Sequence, residues 1–258
     1  GPGVPTTPNA PTVLRGDAEE LALTLLTPGT AVFIDPSRRT AAGRTWRVED
    51  LQPSWAFVMT LLDGSRIACA KLGPGLPHSL IPDAVEAEWI SDRGDLVEAA
   101  LWAGPGTTPG LRRAVVDGHE LTREATLTTP PVGAIDQYLY EPDPAVIRAG
   151  LVPAIAETLD AHRLHDQVAY LTAPAPTRTP FATGFRVEDQ LPYSEKTLRA
   201  WVRDHGIGVL EIKKRGIDVD PAALRKRLRP RGPNQATLIL TPTASGAMAL
   251  VVRRLDAG

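Results

Sequence analysis

The sequence predicts an α/β fold followed by a smaller α+β module, and three observations lead to this prediction. The apolar run 31–34 is typical of a strand that is buried on both faces of a mostly parallel sheet. Asp35-Pro36 ends this run, since proline donates no amide hydrogen, and leaves a carboxylate at the carboxyl end of the strand. Charge also changes along the chain: residues 1–185 contain 14 Lys/Arg and 22 Asp/Glu, net −8, whereas residues 186–258 contain 14 and 8, net +6.

The composition is that of an ordinary folded protein. The 258 residues are 43% hydrophobic and 22% charged, which allows one large core or two smaller ones. No apolar run approaches the roughly 20 residues of a membrane helix, and the chain does not open on a signal peptide, so we expect a cytoplasmic protein without a membrane partner. Cys69 is the one cysteine, which excludes an internal disulfide and a multi-cysteine zinc site. The sequence implies no metal.

The first part of the chain predicts an alternation of strands and helices. A Pro- and Thr-rich run to Pro11 is not expected to begin a domain. A short strand from Val13, an acidic loop at Asp17-Ala18 and a helix over 19–26 should precede the strand at 31–34. The elements expected after that strand are a helix over 53–62 and a second buried strand over 66–72, which ends in Gly73-Pro74-Gly75.

Two hairpins and a capped helix are expected next. Asp92-Arg93-Gly94 should turn the first hairpin, and Asp117-Gly118 should turn the second through a primed turn. Asp143 and Pro144 predict the cap and first turn of a helix that runs on to Leu159. A short strand over 168–171 follows, and the prolines of 173–180 indicate a linker. The elements expected after the linker are strands over 184–187, 207–213, 236–241 and 248–253 and helices over 194–203 and 221–228.

Several stretches of the sequence resemble the motifs of a known family. Asp35-Pro36-Ser37-Arg38 is similar to the Asp-Pro-Pro-type motif of class I S-adenosylmethionine-dependent methyltransferases, and the chain resembles their actinobacterial branch with a C-terminal THUMP-like domain. The longest similar stretches are 141–151 and 208–216. The resemblance implies a partial Rossmann-like methyltransferase sheet with an antiparallel hairpin extension, plus a small α+β THUMP-like domain. It also implies domains at 1–172 and 181–258, joined by the linker 173–180.

The resemblance also implies roles for residues near the sheet edge. Asp35, Pro36, Ser37 and Arg38 would orient the methyl acceptor, and Asp17 with Ala18 would face the adenine of S-adenosylmethionine. Ser37 replaces the second proline of the family motif and Arg38 replaces an aromatic residue, so Arg38 and its neighbour Arg39 could instead hold phosphate.

The glycine-rich turn that such enzymes place after their first strand is not found in this sequence. We therefore expect the chain to be the C-terminal part of a longer protein. In that case the strand at 31–34 would become an exposed edge unless another segment covers it.

Several residues admit a second interpretation. Asp35 could belong to a simple strand-ending turn, and Lys71, Pro74 and His78 could form either a substrate loop or an exposed turn after a strand. Cys69 could act as a nucleophile, but its apolar neighbours favour a buried strand residue. His162 and His165 lack a distant third ligand, which favours a solvated helix end.

The region 195–231 carries eleven basic residues against five acidic ones, more than solubility requires. Such a surface would bind phosphates, and the THUMP-like resemblance implies RNA, either tRNA or rRNA. The candidate RNA-binding residues are Lys213, Lys214, Arg215, Arg225, Lys226, Arg227 and Arg231. The main hypothesis is an RNA methyltransferase, and the alternative is a non-catalytic RNA-binding or scaffold protein.

Overall fold

A computed structural model describes residues 12–27, 29–38, 48–123 and 128–255. The Pro- and Thr-rich start and Arg39 lie outside these residues. The α-helices are α1 (Ala18–Leu25), α2 (Trp55–Leu61), α3 (Pro144–Ala149), α4 (Val152–Leu159), α5 (Glu195–Asp204) and α6 (Pro221–Leu228). The strands are β1 (Val32–Ile34), β2 (Ser37–Arg38), β3 (Leu51–Gln52), β4 (Ala68–Leu72), β5 (Glu86–Asp92), β6 (Asp95–Ala103), β7 (Arg112–Val116), β8 (His119–Arg123), β9 (Tyr138–Pro142), β10 (His162–Arg163), β11 (Leu171–Ala173), β12 (Ala182–Pro192), β13 (Ile207–Lys214), β14 (Asn234–Thr243) and β15 (Gly246–Arg254).

The first sheet has six strands in the order β1-β4-β6-β5-β7-β8. β1 runs parallel to β4, and β6 lies between β4 and β5 and is antiparallel to both. β5 and β7 are again parallel. Both predicted hairpins are present. Arg93 and Gly94 have φ of 52° and 83°, and Asp117 and Gly118 have φ of 49° and 83°, which is the paired positive φ of a type I′ turn.

β1 departs from the prediction that it would be buried on both faces. Phe33 is 67% exposed, while Val32 and Ile34 on the opposite face pack against the core. β1 lies at the edge of the sheet, where β4 is its partner among the described strands. Continuous hydrophobicity therefore did not distinguish a half-exposed edge strand from a central one. Among the described strands β1 lies at the edge, as expected if no other segment covers it.

The larger core lies on one face of this sheet. Trp89, Leu101 and Val58 are fully buried there, and α3 packs against β5 and β7. The helix predicted to run from Pro144 to Leu159 is instead two helices, because Gly150 adopts φ 74° and ends α3 in a left-handed cap. No strand forms at Val13, and the strand predicted over 168–171 lies at Leu171–Ala173.

The second sheet has seven strands in the order β10-β11-β9-β12-β15-β14-β13. α5 and α6 pack on one face of its end, where Leu198, Leu224 and Leu238 are fully buried. The sheet is continuous across the predicted linker, because β12 pairs with both β9 and β15. The division into two domains stays a prediction. No helix of the described residues has the length and apolarity needed to cross a membrane.

Candidate functional site

A cavity of about 420 Å³ lies where the parallel strands β1 and β4 end. Ligands of open α/β sheets bind at this position, outside the carboxyl ends of the strands. The lining residues are Asp35, Pro36, Leu51, Lys71, Leu72, Gly73, Pro74, Val97 and Glu98. Asp35 and Pro36 reach it because they follow β1 directly, and Lys71 and Pro74 reach it because they lie at the end of β4. The structure thus brings together four of the residues that the sequence analysis singled out.

Lys71 joins two carboxylates in this cavity. Its Nζ donates to Asp35 Oδ2 at 3.4 Å and lies 3.5 Å from Glu98 Oε2. The hydrogen bond and charge of Asp35, together with the charge of Glu98, raise the pKa of Lys71, so that the ammonium is held in its charged form. Two carboxylates and one ammonium leave the cavity with an excess negative charge. The side chain of Asp35 is 57% exposed and is open to a ligand.

The residues after Asp35 turn away into a short hairpin. Pro36 is buried, and β2 pairs antiparallel with β3. Ser37 Oγ donates to the Gln52 carbonyl oxygen at 3.3 Å. Arg38 pairs with Leu51 through the backbone. Ser37 therefore stabilises the hairpin that closes one side of the cavity.

Asp17 and Ala18 lie at the start of α1 and are not among the residues that line the cavity. The Asp17 carboxylate caps the helix by accepting from the Glu19 backbone N–H at 2.8 Å. Glu19 Oε1 in turn accepts from the Ser54 backbone N–H at 2.8 Å. This contact ties the start of α1 to the chain that follows β3.

His78 does not join Lys71 and Pro74 at the cavity, because its side chain makes contacts elsewhere. Its ring lies 5.2 Å from the Trp89 ring, between centroids, and it is not part of the cavity lining. Partial burial lowers the pKa of His78, and the charges of Arg148 and Arg112 act in the same direction. The predicted substrate loop therefore contributes Lys71 and Pro74 to the cavity and directs His78 elsewhere.

Cys69 is 5% exposed, and burial, followed by the charges of Glu88 and Glu98, raises its pKa to about 11. The thiol is therefore protonated at neutral pH, as expected for a buried strand residue. His162 Nε2 lies 2.6 Å from the Ala134 carbonyl oxygen. Within the described ranges, no group of three His, Cys, Asp or Glu side chains could hold a metal ion.

The basic residues of the last part divide into two groups. In the first group, Lys213 Nζ donates to Glu141 Oε2 at 2.7 Å, and Arg215 Nη2 lies 3.7 Å from Glu141 Oε1. Lys213 also lies over the Phe185 ring, and Arg215 over the Tyr170 ring. These contacts attach the end of β13 to β9 and to the segment before β11. Lys213 and Arg215 are thus engaged in contacts with other residues of the protein.

The second group lies on and just after α6. Arg225, Lys226 and Arg231 are exposed, and their side chains have no ion-pair partner among the described residues. Arg227 is paired with Glu195 of α5 at 2.8 Å. Arg199 of α5 donates to the backbone carbonyl of Arg227, so the basic surfaces of the two helices meet. Lys214 is exposed at the end of β13.

Two residues of these contacts were not found from the sequence. Glu98 lies in a hairpin strand outside the motifs, and Glu141 begins the stretch 141–151 but was given no role there. Strand alternation could have placed Glu98 on the same sheet face as Lys71, because Lys71 faces Ala100 across the antiparallel pair and Glu98 is two residues away. No such signal joins Glu141 to Lys213, since 72 residues separate them.

Comparison with known proteins gives three results. Residues 182–254 match the family model described as THUMP domain-like. Over 231 residues the chain is 32% identical to proteins of two Mycobacterium tuberculosis strains, CDC 1551 and H37Rv, each named "uncharacterized S-adenosylmethionine-dependent methyltransferase". The alignment covers 88% of this chain and 64% of each relative, so the chain spans about two thirds of the length of the relatives it matches.

The fold is also similar to a solved structure. The crystal structure of a "putative methyltransferase" from Porphyromonas gingivalis W83 matches with a TM-score of 0.66 and 23% identity, covering 88% of this chain and 60% of that one. This likeness supports the mixed α/β fold. The resemblance to methyltransferases with a C-terminal THUMP-like domain is therefore confirmed as a similarity: residues 182–254 match the THUMP domain-like model, and the chain is similar to proteins named S-adenosylmethionine-dependent methyltransferases.

Proposed function

We propose that this chain is part of a methyltransferase that transfers the methyl group of S-adenosylmethionine to RNA. The observation that carries the proposal is the position of Asp35, an exposed carboxylate in an open cavity at the carboxyl ends of two parallel strands. The relatives of matching sequence bear the name of this enzyme class. Because the chain spans 64% of their length, the activity belongs to the protein at its full length.

The residues of the cavity fit a cationic cofactor. Asp35, Glu98 and Lys71 together carry a net negative charge, which suits a ligand with a sulfonium and an ammonium group. By the family resemblance, Asp17 and Ala18 at the start of α1 would lie beside the adenine. When bound, the cofactor supplies an activated methyl group.

Asp35 would orient the acceptor in this scheme. Its carboxylate accepts a hydrogen bond from an amine N–H and thereby directs the nitrogen lone pair towards the methyl donor. Lys71 holds one carboxylate oxygen, Oδ2, and so fixes the rotation of the carboxylate. Pro36 is buried and limits movement of the backbone beside it. Positioning of this kind is the main contribution that the chain itself makes to methyl transfer.

The α5–α6 surface would dock the nucleic acid. Arg225, Lys226 and Arg231 offer exposed positive charge, and phosphate contacts of this kind bind RNA without reading its sequence. Lys213 and Arg215 would contribute less, because Glu141 and two aromatic rings already occupy them. A cytoplasmic location is part of the proposal.

The proposal is tested by incubating the full-length protein with radiolabelled S-adenosylmethionine and total RNA. We expect label in RNA, at a rate that falls steeply when Asp35 is changed to asparagine. A folded full-length protein that binds RNA and transfers no label would favour the alternative, a non-catalytic RNA-binding protein.

A further inference from the structure

Three buried side-chain nitrogens on one face of the first sheet lack a hydrogen-bond acceptor within the described part of the chain. They are Trp89 Nε1, Arg112 Nη1 and Arg148 Nε. Trp89 is fully buried, so no bulk solvent reaches its indole N–H. Buried donors are normally paired, and each exception needs an explanation. Three exceptions in one neighbourhood indicate an acceptor that binds from outside.

The three donors belong to elements that pack together. Ala87 pairs with Arg112 and Trp89 pairs with Ala114, so Trp89 and Arg112 share a sheet face as diagonal neighbours. Arg148 lies on α3, which packs against β5 and β7 on this face. His78 completes the group, because its ring contacts Trp89 and the charges of both arginines lower its pKa.

The charge of this group is positive and uncompensated. In the described residues, no carboxylate lies within ion-pair distance of Arg112 or Arg148. Asp83 is near enough to raise the pKa of Arg112, although burial dominates and lowers it. The Arg148 guanidinium donates from Nη2 to the Leu76 carbonyl oxygen at 2.7 Å, which fixes it in place, and the Arg148 backbone is hydrogen-bonded to the His78 side chain.

We propose that His78, Arg112, Arg148 and Trp89 form a binding site for a phosphate group. Guanidinium and indole N–H groups are donors that match the acceptor oxygens of a phosphate, and guanidinium groups favour oxyanions most strongly when they are partly desolvated. The phosphate could belong to a nucleic acid or be free in solution, and the chemistry of recognition is the same. This site does not depend on the methyltransferase proposal.

A ligand would have to enter from the His78 side. His78 is exposed, whereas Trp89 closes the opposite side against the core. Arg148 holds the backbone of Leu76, and Gly73 and Pro74 of the same loop line the cavity beside Asp35. The phosphate site and the candidate catalytic cavity thus share one loop. A phosphate bound at His78 would restrict this loop next to Asp35.

The site is tested by recording the indole N–H resonances of the whole chain by NMR while inorganic phosphate is added at constant ionic strength with chloride. We expect the Trp89 indole resonance to shift in a saturable manner, while the indoles of Trp55, Trp102 and Trp201 do not. An unchanged Trp89 resonance in the folded wild-type chain overturns the proposal, and this result needs no variant.

The affinity measured in this way should depend on Arg112. The Arg112→Gln variant should bind phosphate about tenfold more weakly, because one charge-assisted hydrogen bond is lost. Arg93→Gln removes an exposed guanidinium of the same sheet and should leave the affinity unchanged. Equal losses in both variants would show nonspecific screening and contradict the site.

A short single-stranded oligonucleotide that competes with inorganic phosphate for the Trp89 shift identifies nucleic acid as the source, and failure to compete identifies free phosphate; either result supports the site.

Discussion

Two of the parallel strand pairs, β1 with β4 and β13 with β14, make different use of charged residues at their carboxyl ends. β1 and β4 end in Asp35 and Lys71, whose side chains are 57% and 40% exposed and face an open cavity. β13 ends in Lys213, which is 34% exposed and pairs with Glu141, itself 21% exposed. The first pair is long, at 3.4 Å, and the second is short, at 2.7 Å. A charged strand end thus leaves a site accessible in one sheet and fastens the fold in the other.

The largest effect should come from the open strand end. In the full-length protein, Asp35→Asn should lower the rate of methyl transfer at least about a hundredfold, because the acceptor is no longer oriented. The variant should unfold at nearly the same temperature as the wild type, since the pair with Lys71 is exposed and contributes little. Asp95→Asn, an exposed change at the hairpin of the same sheet, should leave the rate unaltered. Equal rates for Asp35→Asn and wild type would remove Asp35 from the mechanism.

A change at the end of β13, where Lys213 pairs with Glu141, should affect stability instead. Glu141→Gln should lower the free energy of unfolding by about 2 kcal/mol, because Lys213 and Arg215 lose their charged partner in a half-buried position. The matched control is Glu188→Gln, whose pair with Arg253 is also 2.7 Å long but 43% and 64% exposed. The control should cost at most about 0.5 kcal/mol in urea unfolding. Similar losses in both variants would show that burial of the Glu141 pair adds nothing to the free energy of unfolding.

RNA binding should distinguish the exposed basic residues from the occupied ones. Reversing the charges of α6 with Arg225→Glu and Lys226→Glu should weaken RNA binding about tenfold and reduce its salt dependence. The same double reversal at Arg253 and Arg254, at the end of β15, should have a smaller effect. Filter binding at two salt concentrations measures both. An unchanged affinity and salt slope after reversal on α6 would exclude this helix from the interface.

The smallest effect concerns the pH dependence of Lys71. Asp35 and Glu98 raise its pKa, so folding gains a contribution that is fully present below the ordinary lysine pKa and is lost as the pH rises through the higher folded value. Lys71→Met should therefore unfold slightly more easily than wild type at neutral pH and equally at high alkaline pH. A difference that persists at high pH would mean that Lys71 stabilises by packing and not by charge.

Much of the fold could be predicted because its signals are local. Asp117-Gly118 specifies a primed turn, and Asp143 caps the helix that begins at Pro144, as expected. The break at Gly150 was missed because the apolar spacing continues across it, although glycine at that position permits the left-handed cap. The exposure of Phe33 was missed because hydrophobicity alone does not tell which strands lie at an edge.

The site could be predicted only in part, for a related reason. Asp35 and Lys71 could be predicted because ligands of open α/β sheets bind at the carboxyl ends of parallel strands, where both residues lie. The separation of Lys213 from Arg225 does not follow from a charge count, because it depends on Glu141 arriving from a distant strand. Charge clusters in a sequence therefore indicate a charged region, and the structure is needed to show which members remain free.

The central claim is that the cavity beside Asp35 serves methyl transfer. Its most direct test is isothermal titration of S-adenosylhomocysteine into the full-length wild-type protein and into Asp35→Asn, combined with the transfer assay. The account predicts that both proteins bind the ligand with similar affinity and that only the wild type transfers methyl groups efficiently. Absence of binding by a folded wild-type protein would contradict it.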